Sequence, residues 1–465
     1  MLKNFLFFLS LFLCSCHVGE EYQPQSFITD EQVQSILKLE PTKDTPCSHW
    51  VDIFNDKDLN TLLSFAITSN FDLRQGKERL LQARYALLIN SVQDLPMFDV
   101  TGNYTFSKIN NPHQLAMDSN IFKVGFDASW EIDIWGKNYY ISEQYLELAN
   151  KAKYSLNYLQ ISICAELISN YINYKKNLEL LHIAQKNIQL QTEILETVQA
   201  KYHSGLADDL ALNQAQQIVT QTKSAIPDIE LEIEKYKNAL SILLGVTPDN
   251  IPVNLKNRKN NLTARTFKYS VSNLYNLPLD IVRTRPDIMA AEATLRQQNA
   301  TLNEAIASLY PNITLSASFA YAAASGRRLI NKDNQYYSYS PDLLQPLWHW
   351  NQLKNNIELQ KHIKEEYLLQ YNEALLTALT EIKNAMQMVE KAYEKNKYKK
   401  QSLVKMKNIM DITYEKYKTG LVDFTDVALS QQNFLTSQND VVLSNTDILL
   451  SIITFYKAIG GYPIK

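Results

Sequence analysis

Four aspartates are the residues of this chain best placed to do chemistry. Asp208 and Asp209 follow Gly205, and Asp423 and Asp426 follow Gly420. Carboxylates held together at a constriction attract cations, most strongly where symmetry between copies turns each into a ring. The competing reading is helix capping, in which an Asp accepts first-turn N–H bonds and meets the positive end of the helix dipole. Asp208 and Asp423 fit capping better. No other arrangement suggests a reaction. There is no Walker A glycine loop, no H-E-x-x-H and no G-x-S-x-G elbow. The seven His are scattered, and no C-x-x-C or His/Cys cluster occurs. The reading is of no enzyme, with no catalytic residue, no cofactor and no metal site.

Cysteine chemistry points instead to the N-terminus. Lys3 precedes an apolar run over residues 5–13 that has signal-peptide length and is too short to span a bilayer as a helix. It leads into Leu13-Cys14-Ser15-Cys16, which resembles a bacterial lipobox cleaved after residue 15 and lipidated on Cys16, for example with palmitate. Ordinary cleavage nearby is the alternative. His17 rather than Asp after the Cys resembles an outer-membrane address. Cys164 reads as a small buried hydrophobe, and a Cys47–Cys164 bridge is left open.

Net charge is −3, so the chain carries no broad basic footprint for nucleic acid. Past the signal, no apolar run reaches the length of a transmembrane helix. Only 11 Gly and 14 Pro punctuate 465 residues, so elements must be long and turns few.

These elements are written twice. Lys201-Tyr202-His203-Ser204-Gly205-Leu206 recurs as Lys416-Tyr417-Lys418-Thr419-Gly420-Leu421, 215 residues on. Gly245 matches Gly460 at the same separation, and upstream Asp72, Leu80, Leu87 and Pro96 match Asp287, Leu295, Leu302 and Pro311. In the middle the separation is 213, pairing Trp135 with Trp348 and Asn138 with Asn351. Units this long are two copies of one structural half rather than a short-period solenoid. The organisation is residues 1–15 signal, 16–57 N-terminal equatorial segment, 58–245 first repeat, 246–284 equatorial linker, 285–460 second repeat and 461–465 tail.

After Gly136, residues 137–202 contain neither Gly nor Pro, enough for a helix of about 100 Å at ~1.5 Å per residue. Beyond each tip glycine the apolar residues repeat in sevens: Leu212, Val219, Ile226, Ile233 and Leu240, then Val427, Phe434, Val441, Ile448 and Phe455. That period means left-handed coiled-coil packing, and Pro227 should kink the first of these helices. A plain coiled-coil dimer shares the heptads.

Four segments with a two-residue period separate this chain from such a dimer. Over 97–107, Phe98, Val100, Tyr104 and Phe106 oppose Asp99, Thr101, Asn103 and Thr105. Over 121–134, Phe126 and Trp130 lie on the apolar side and Asp127 and Glu131 on the polar side. Over 312–323, Ile313, Leu315 and Phe319 oppose Asn312, Thr314 and Ser316; residues 336–347 repeat the pattern weakly and include Pro341. Hairpin tips are expected near 111–119 and 326–334. Strands of ~10 residues with one apolar face suit a transmembrane barrel, although a half-buried soluble sheet alternates likewise. Four strands cannot close a barrel alone, and an open edge in lipid leaves backbone groups unpaired. Three copies would give twelve strands, and two a narrow eight.

Together these residues carry a family resemblance. Cys16-His17-Val18-Gly19-Glu20-Glu21-Tyr22, Trp130-Glu131-Ile132-Asp133-Ile134-Trp135-Gly136-Lys137, Arg285-Pro286-Asp287-Ile288 and both Tyr-x-x-Gly-Leu turns resemble, in order, the motifs of an outer-membrane factor of the TolC/NodT type. Glu20 stands where Pro is usual. The resemblance implies a mixed α and β membrane protein, a homotrimer whose four strands per chain form a 12-stranded barrel in outer-membrane lipid and continue into a long periplasmic α-helical barrel. It implies the passive exit duct of a tripartite efflux pump, opened by an inner-membrane efflux transporter through a periplasmic adaptor. It also implies a periplasmic gate and tip at Tyr202, Gly205, Asp208, Asp209, Tyr417, Gly420, Asp423 and Asp426. Asp426 falls on a gate aspartate of the family, whereas Ala211 and Leu429 replace two others. A duct of type I protein secretion and a non-transporting structural lipoprotein are the alternatives.

Overall fold

The computed structural model describes residues 18–19, 21–22, 56–109, 117–255 and 281–461. Cys16, Cys47, most of both equatorial segments, the first hairpin tip and nearly all of the tail lie outside the described residues. In chain order the elements are α1 (Lys57–Ser69), α2 (Phe71–Asn90), β1 (Met97–Ile109), β2 (Met117–Glu131), α3 (Lys137–His203), α4 (Asp209–Leu244), α5 (Pro286–Ala307), β3 (Asn312–Ala323), β4 (Gln335–Leu344), α6 (Trp350–Lys418) and α7 (Phe424–Ala458).

The duplication is visible in this order: helix, two strands, a very long helix and a shorter helix occur twice, with α1 as an extra helix ahead of the first copy. The very long helices have 67 and 69 residues and the shorter ones 36 and 35. Four matched glycines end the long and shorter helices in left-handed conformations. At Gly205 the turn is a Schellman motif: Gly205 N–H donates to the Tyr202 carbonyl at 3.0 Å and Leu206 N–H to Lys201 at 2.8 Å. Gly420 repeats both bonds with Tyr417 and Lys416 at 3.1 and 2.9 Å.

The chain divides into two compact units, and neither follows a repeat boundary. One comprises 1–26, 79–153 and 290–372, the other 27–78, 154–289 and 373–465. Each therefore draws on both repeats.

The first unit contains the sheet, an antiparallel meander in the order β1-β2-β3-β4. Its register sets like residues side by side. Val100 faces Phe126, which faces Phe319, which faces Tyr337; on the opposite surface Asp99, Asp127, Ser318 and Ser338 line up. Four strand limits differ clearly from the sequence expectation. β1 runs on to Ile109, and Ser119 belongs to β2 rather than to a tip. β2 stops at Glu131 because the chain turns there: Asp133 Oδ2 accepts from the Tyr139 N–H at 2.9 Å, and Gly136 takes φ 81° ahead of α3. β4 stops at Leu344, just before Pro346, which has no N–H to extend a ladder.

In the second unit the heptad residues Val219, Ile233, Leu240, Val427, Phe434, Ile448 and Phe455 are buried. α4 runs through Pro227 as one helix. By length and composition α7 is apolar enough to cross a membrane, a property that no apolar run in the sequence announced. Just over half of its most apolar window is buried within the chain, as in a core helix. Cys164 is a buried free thiol whose pKa burial pushes up to about 12.

Two buried polar side chains fasten corresponding places in the two repeats. Asn70 Nδ2 donates to the Leu243 carbonyl at 2.8 Å, in the last turn of α4. Arg285, 215 residues later, donates from Nη1 to the Ala458 carbonyl at 2.7 Å, in the last turn of α7. Orphan carbonyls at both helix ends thus find donors from the residue immediately ahead of α2 or α5 in their own repeat. Arg285 also bonds Asp287 through Nε and Nη2 at 3.0 and 2.7 Å and Glu381 on α6 at 2.8 Å. Burial opposes its charge, but Asp287 and Glu381 prevail and hold its pKa above the ordinary value.

Candidate functional site: the helical tips and the apolar sheet face

The α3–α4 and α6–α7 turns meet in the second unit around one apolar cluster. Ile194, Val198, Ala211, Ala215, Tyr417, Phe424 and Val427 are buried together, with Leu195, Ala207 and Val422 packed against them. Lys201 bridges the turns: its ammonium donates to the Tyr417 carbonyl at 2.7 Å and sits 4.1 Å from that ring's centroid. The Thr425 hydroxyl adds a 3.3 Å bond to Gln214 Oε1. Between the turns lies a groove of roughly 560 Å³ lined by Lys201, Leu206, Asp208, Gln214, Asp423 and Thr425 among others.

The acidic residues separate in role. Asp208 is the N-cap of α4, its Oδ1 accepting from the Ala211 N–H at 2.9 Å. Asp423 occupies the N-cap position of α7, yet its side chain makes no capping bond, which corrects half of the capping expectation. Its carbonyl instead accepts from the Asp426 N–H at 3.2 Å. Asp209 accepts from the Tyr202 hydroxyl, which holds the phenol pKa above its ordinary value. Asp426 is exposed in the first turn of α7. Burial, and then the charge of Asp208, raises the Tyr417 pKa. Of the two apolar replacements, Ala211 is inside the tip cluster and Leu429 is exposed. Gly205 and Gly420 have φ 71° and 78° and no atom within 4 Å of a built Cβ, so only backbone conformation demands glycine there.

On the sheet, Phe98, Val100, Tyr104, Phe106, Phe126, Trp130, Leu315 and Phe319 are all exposed, Val100 by 73% and Phe126 by 60%. Ile313 is half-buried. They share one surface by register. Sequence reading missed the part of this surface that β4 supplies: Tyr337, Tyr339 and Leu343, with Tyr339 80% exposed. Alternation over 337–343 was the available signal, obscured by Pro341. The polar surface is self-bonded, Thr101 Oγ1 donating to Asp127 Oδ2 at 2.7 Å. Lys201, Phe424 and Glu381 were also missed, since each matters through a partner far away in sequence.

A four-stranded sheet with a continuous exposed apolar face, joined to helices of nearly seventy residues, defines an outer-membrane channel with a helical extension. The comparisons with known proteins agree. The family described as outer membrane efflux protein matches residues 62–246 and 277–461, and the chain belongs to that family. It is 25% identical over 414 residues to the solvent efflux pump outer membrane protein SrpC of Pseudomonas putida, covering 88% of this chain and 86% of that one. It is 23% identical over 455 residues to Nodulation protein T of Rhizobium leguminosarum, covering 97% and 92%. Its fold matches the solved outer-membrane channel OprN with a TM-score of 0.88 at 23% identity, over 96% of this chain and 99% of that one. The chain is an outer-membrane efflux channel of the TolC/NodT type, placed in the outer membrane and extending into the periplasm. The relatives are channel proteins, not enzymes.

Proposed function

We propose that three copies of this chain close a 12-stranded barrel in the outer membrane and that their long helices line the periplasmic part of one duct. The observation that carries this is the sheet itself: among the described residues β1 and β4 each pair on one side only, and the face they share is apolar. In lipid every unpaired backbone group at such edges costs several kcal/mol, so the edges must find each other in neighbouring copies. Transport energy then comes from an inner-membrane transporter, and a periplasmic adaptor seats at the tip groove beside Gly205 and Gly420. Phe98, Val100, Tyr104, Phe106, Phe126, Trp130, Ile313, Leu315 and Phe319 face lipid, while Asp127 and its neighbours face the lumen. Asp426 forms a ring at the constriction; Asp426→Ala should lower the cation selectivity of single-channel current. Cys16 carries the lipid anchor, and Cys16→Ser should abolish acyl labelling.

The test is electrical. Purified protein inserted into planar bilayers should give discrete conductance steps, larger in a variant with a loosened tip. Silent bilayers despite verified insertion of the assembled protein would contradict a duct.

A further inference from the structure

We propose that Trp348 is an inter-subunit latch, inserting into the loop ahead of β1 in a second copy of this chain. The indole is 97% exposed, at the point where β4 hands over to α6. Its counterpart in the first repeat, Trp135, is engaged: it stacks on Tyr310 with ring centroids 4.8 Å apart, and its Nε1–H donates to the Pro311 carbonyl at 2.9 Å.

Strand order explains the difference. Trp135 follows β2, and it docks on Tyr310 and Pro311, which precede β3, the strand paired to β2. The second repeat matches in register on both sides of this contact. β2 ends at Glu131 and β4 at Leu344, 213 residues apart, and α3 and α6 begin at the same separation, at Lys137 and Trp350. β1 and β3 begin 215 apart, at Met97 and Asn312. Translating the observed contact by these separations carries Trp135 to Trp348, Tyr310 to Leu95 and Pro311 to Pro96. Among the described residues of one chain, β4 has no strand on its far side and β1 none on its near side. The strand that follows β4 is therefore β1 of another copy, so the dock for Trp348 is the partner's Leu95 and Pro96. This rests on the closure reading above.

Chemistry at the dock fits an indole. Leu95 is exposed, and an aliphatic side chain replaces the Tyr310 ring as the packing surface. The Pro96 carbonyl is the acceptor equivalent to that of Pro311. An exposed Trp gains from a site that buries its ring and satisfies its N–H together. The translated β2–β3 register also sets Leu343 opposite the partner's Val100, continuing the apolar face across the seam.

The experiment uses the full chain with benzoylphenylalanine at position 348, assembled from a mixture of isotopically heavy and light protomers. Crosslinks to residues 94–97 that join heavy with light chains are expected. Crosslinks to lipid, or only within one chain, in protein that still assembles would overturn the latch and leave closure standing. Failure to assemble in wild-type protein as well would overturn both. Separately, Trp348→Phe, which keeps a ring and loses the donor, and Trp348→Ala should lower the temperature at which the assembly dissociates in detergent, Ala more than Phe. Equal midpoints for both variants and wild type would also overturn it.

Discussion

Lys201 and Tyr417, which lie 216 positions apart, form a charged bridge between the two helical tips, a 2.7 Å bond to the carbonyl backed by a cation–π contact at 4.1 Å. Lys201→Met keeps the aliphatic stem and removes both interactions. Losing them should cost about 1–2 kcal/mol locally. Faster amide hydrogen exchange over 201–206 and 417–421, with unchanged exchange in the sheet, is the expected outcome. Unchanged tip protection would mean that the apolar cluster holds the tip without the bridge.

Asp208 and Asp423 stand at equivalent positions and should respond differently to truncation. Asp208→Ala removes a capping bond and should cost ~1 kcal/mol, seen as fraying of the first turn of α4. Asp423→Ala removes no side-chain capping bond and should cost clearly less. Equal losses would show that Asp423 caps in solution.

Arg285 is buried to 3% of its side-chain surface and serves Asp287, Glu381 and the end of α7 together. Arg285→Ala strands the Ala458 carbonyl and breaks charge-assisted bonds to two partly exposed carboxylates, a loss of about 3–4 kcal/mol. Asn70→Ala, at the matching place in the first repeat, removes two neutral bonds, to the Leu243 carbonyl and from the Leu73 N–H, and should cost ~1–3 kcal/mol. Chemical denaturation of the assembled protein should rank the two in that order.

Phe126 and Asp127 are adjacent and sit on opposite faces. Phe126→Arg should cost ~2–4 kcal/mol per protomer in a bilayer and reduce the amount of assembled protein in membranes, whereas Asp127→Arg should assemble nearly normally. The reverse pattern would exchange the lipid and lumen faces.

Glu147 is buried, its Oε2 lacks a hydrogen-bond partner, and burial raises its pKa above the ordinary carboxylate value. A carboxyl whose pKa is higher in the folded state favours that state in its protonated form. The contribution is complete below the unfolded pKa and is lost as pH rises through the folded one. Glu147→Gln should therefore raise the thermal midpoint at pH 7 and lose that advantage near pH 3. Equal midpoints at pH 7 would mean that nearby Arg296 compensates the charge in full.

Most of the fold was legible because duplication and period are properties of sequence alone. The separation of 215 located both tip turns, and alternation located three strand faces. Strand ends were less legible: Ile132 and Ile134 continue the alternation, but the Asp133 cap and the Gly136 turn remove them from β2. At the tips, equivalence of sequence misled. Asp208 and Asp423 match, yet only one caps, and Ala211 matches Asp426 while one is buried and the other exposed. Those differences arise from packing between repeats, which no local pattern records. The same is true of Arg285, whose partner Glu381 lies 96 residues away.

The central claim is that open sheet edges are satisfied by two further copies of the chain. Native mass spectrometry of the full-length protein, released from mild detergent, counts the copies directly. A dominant species of three protomers is expected. A stable monomer or dimer as the membrane-extracted form would contradict the account.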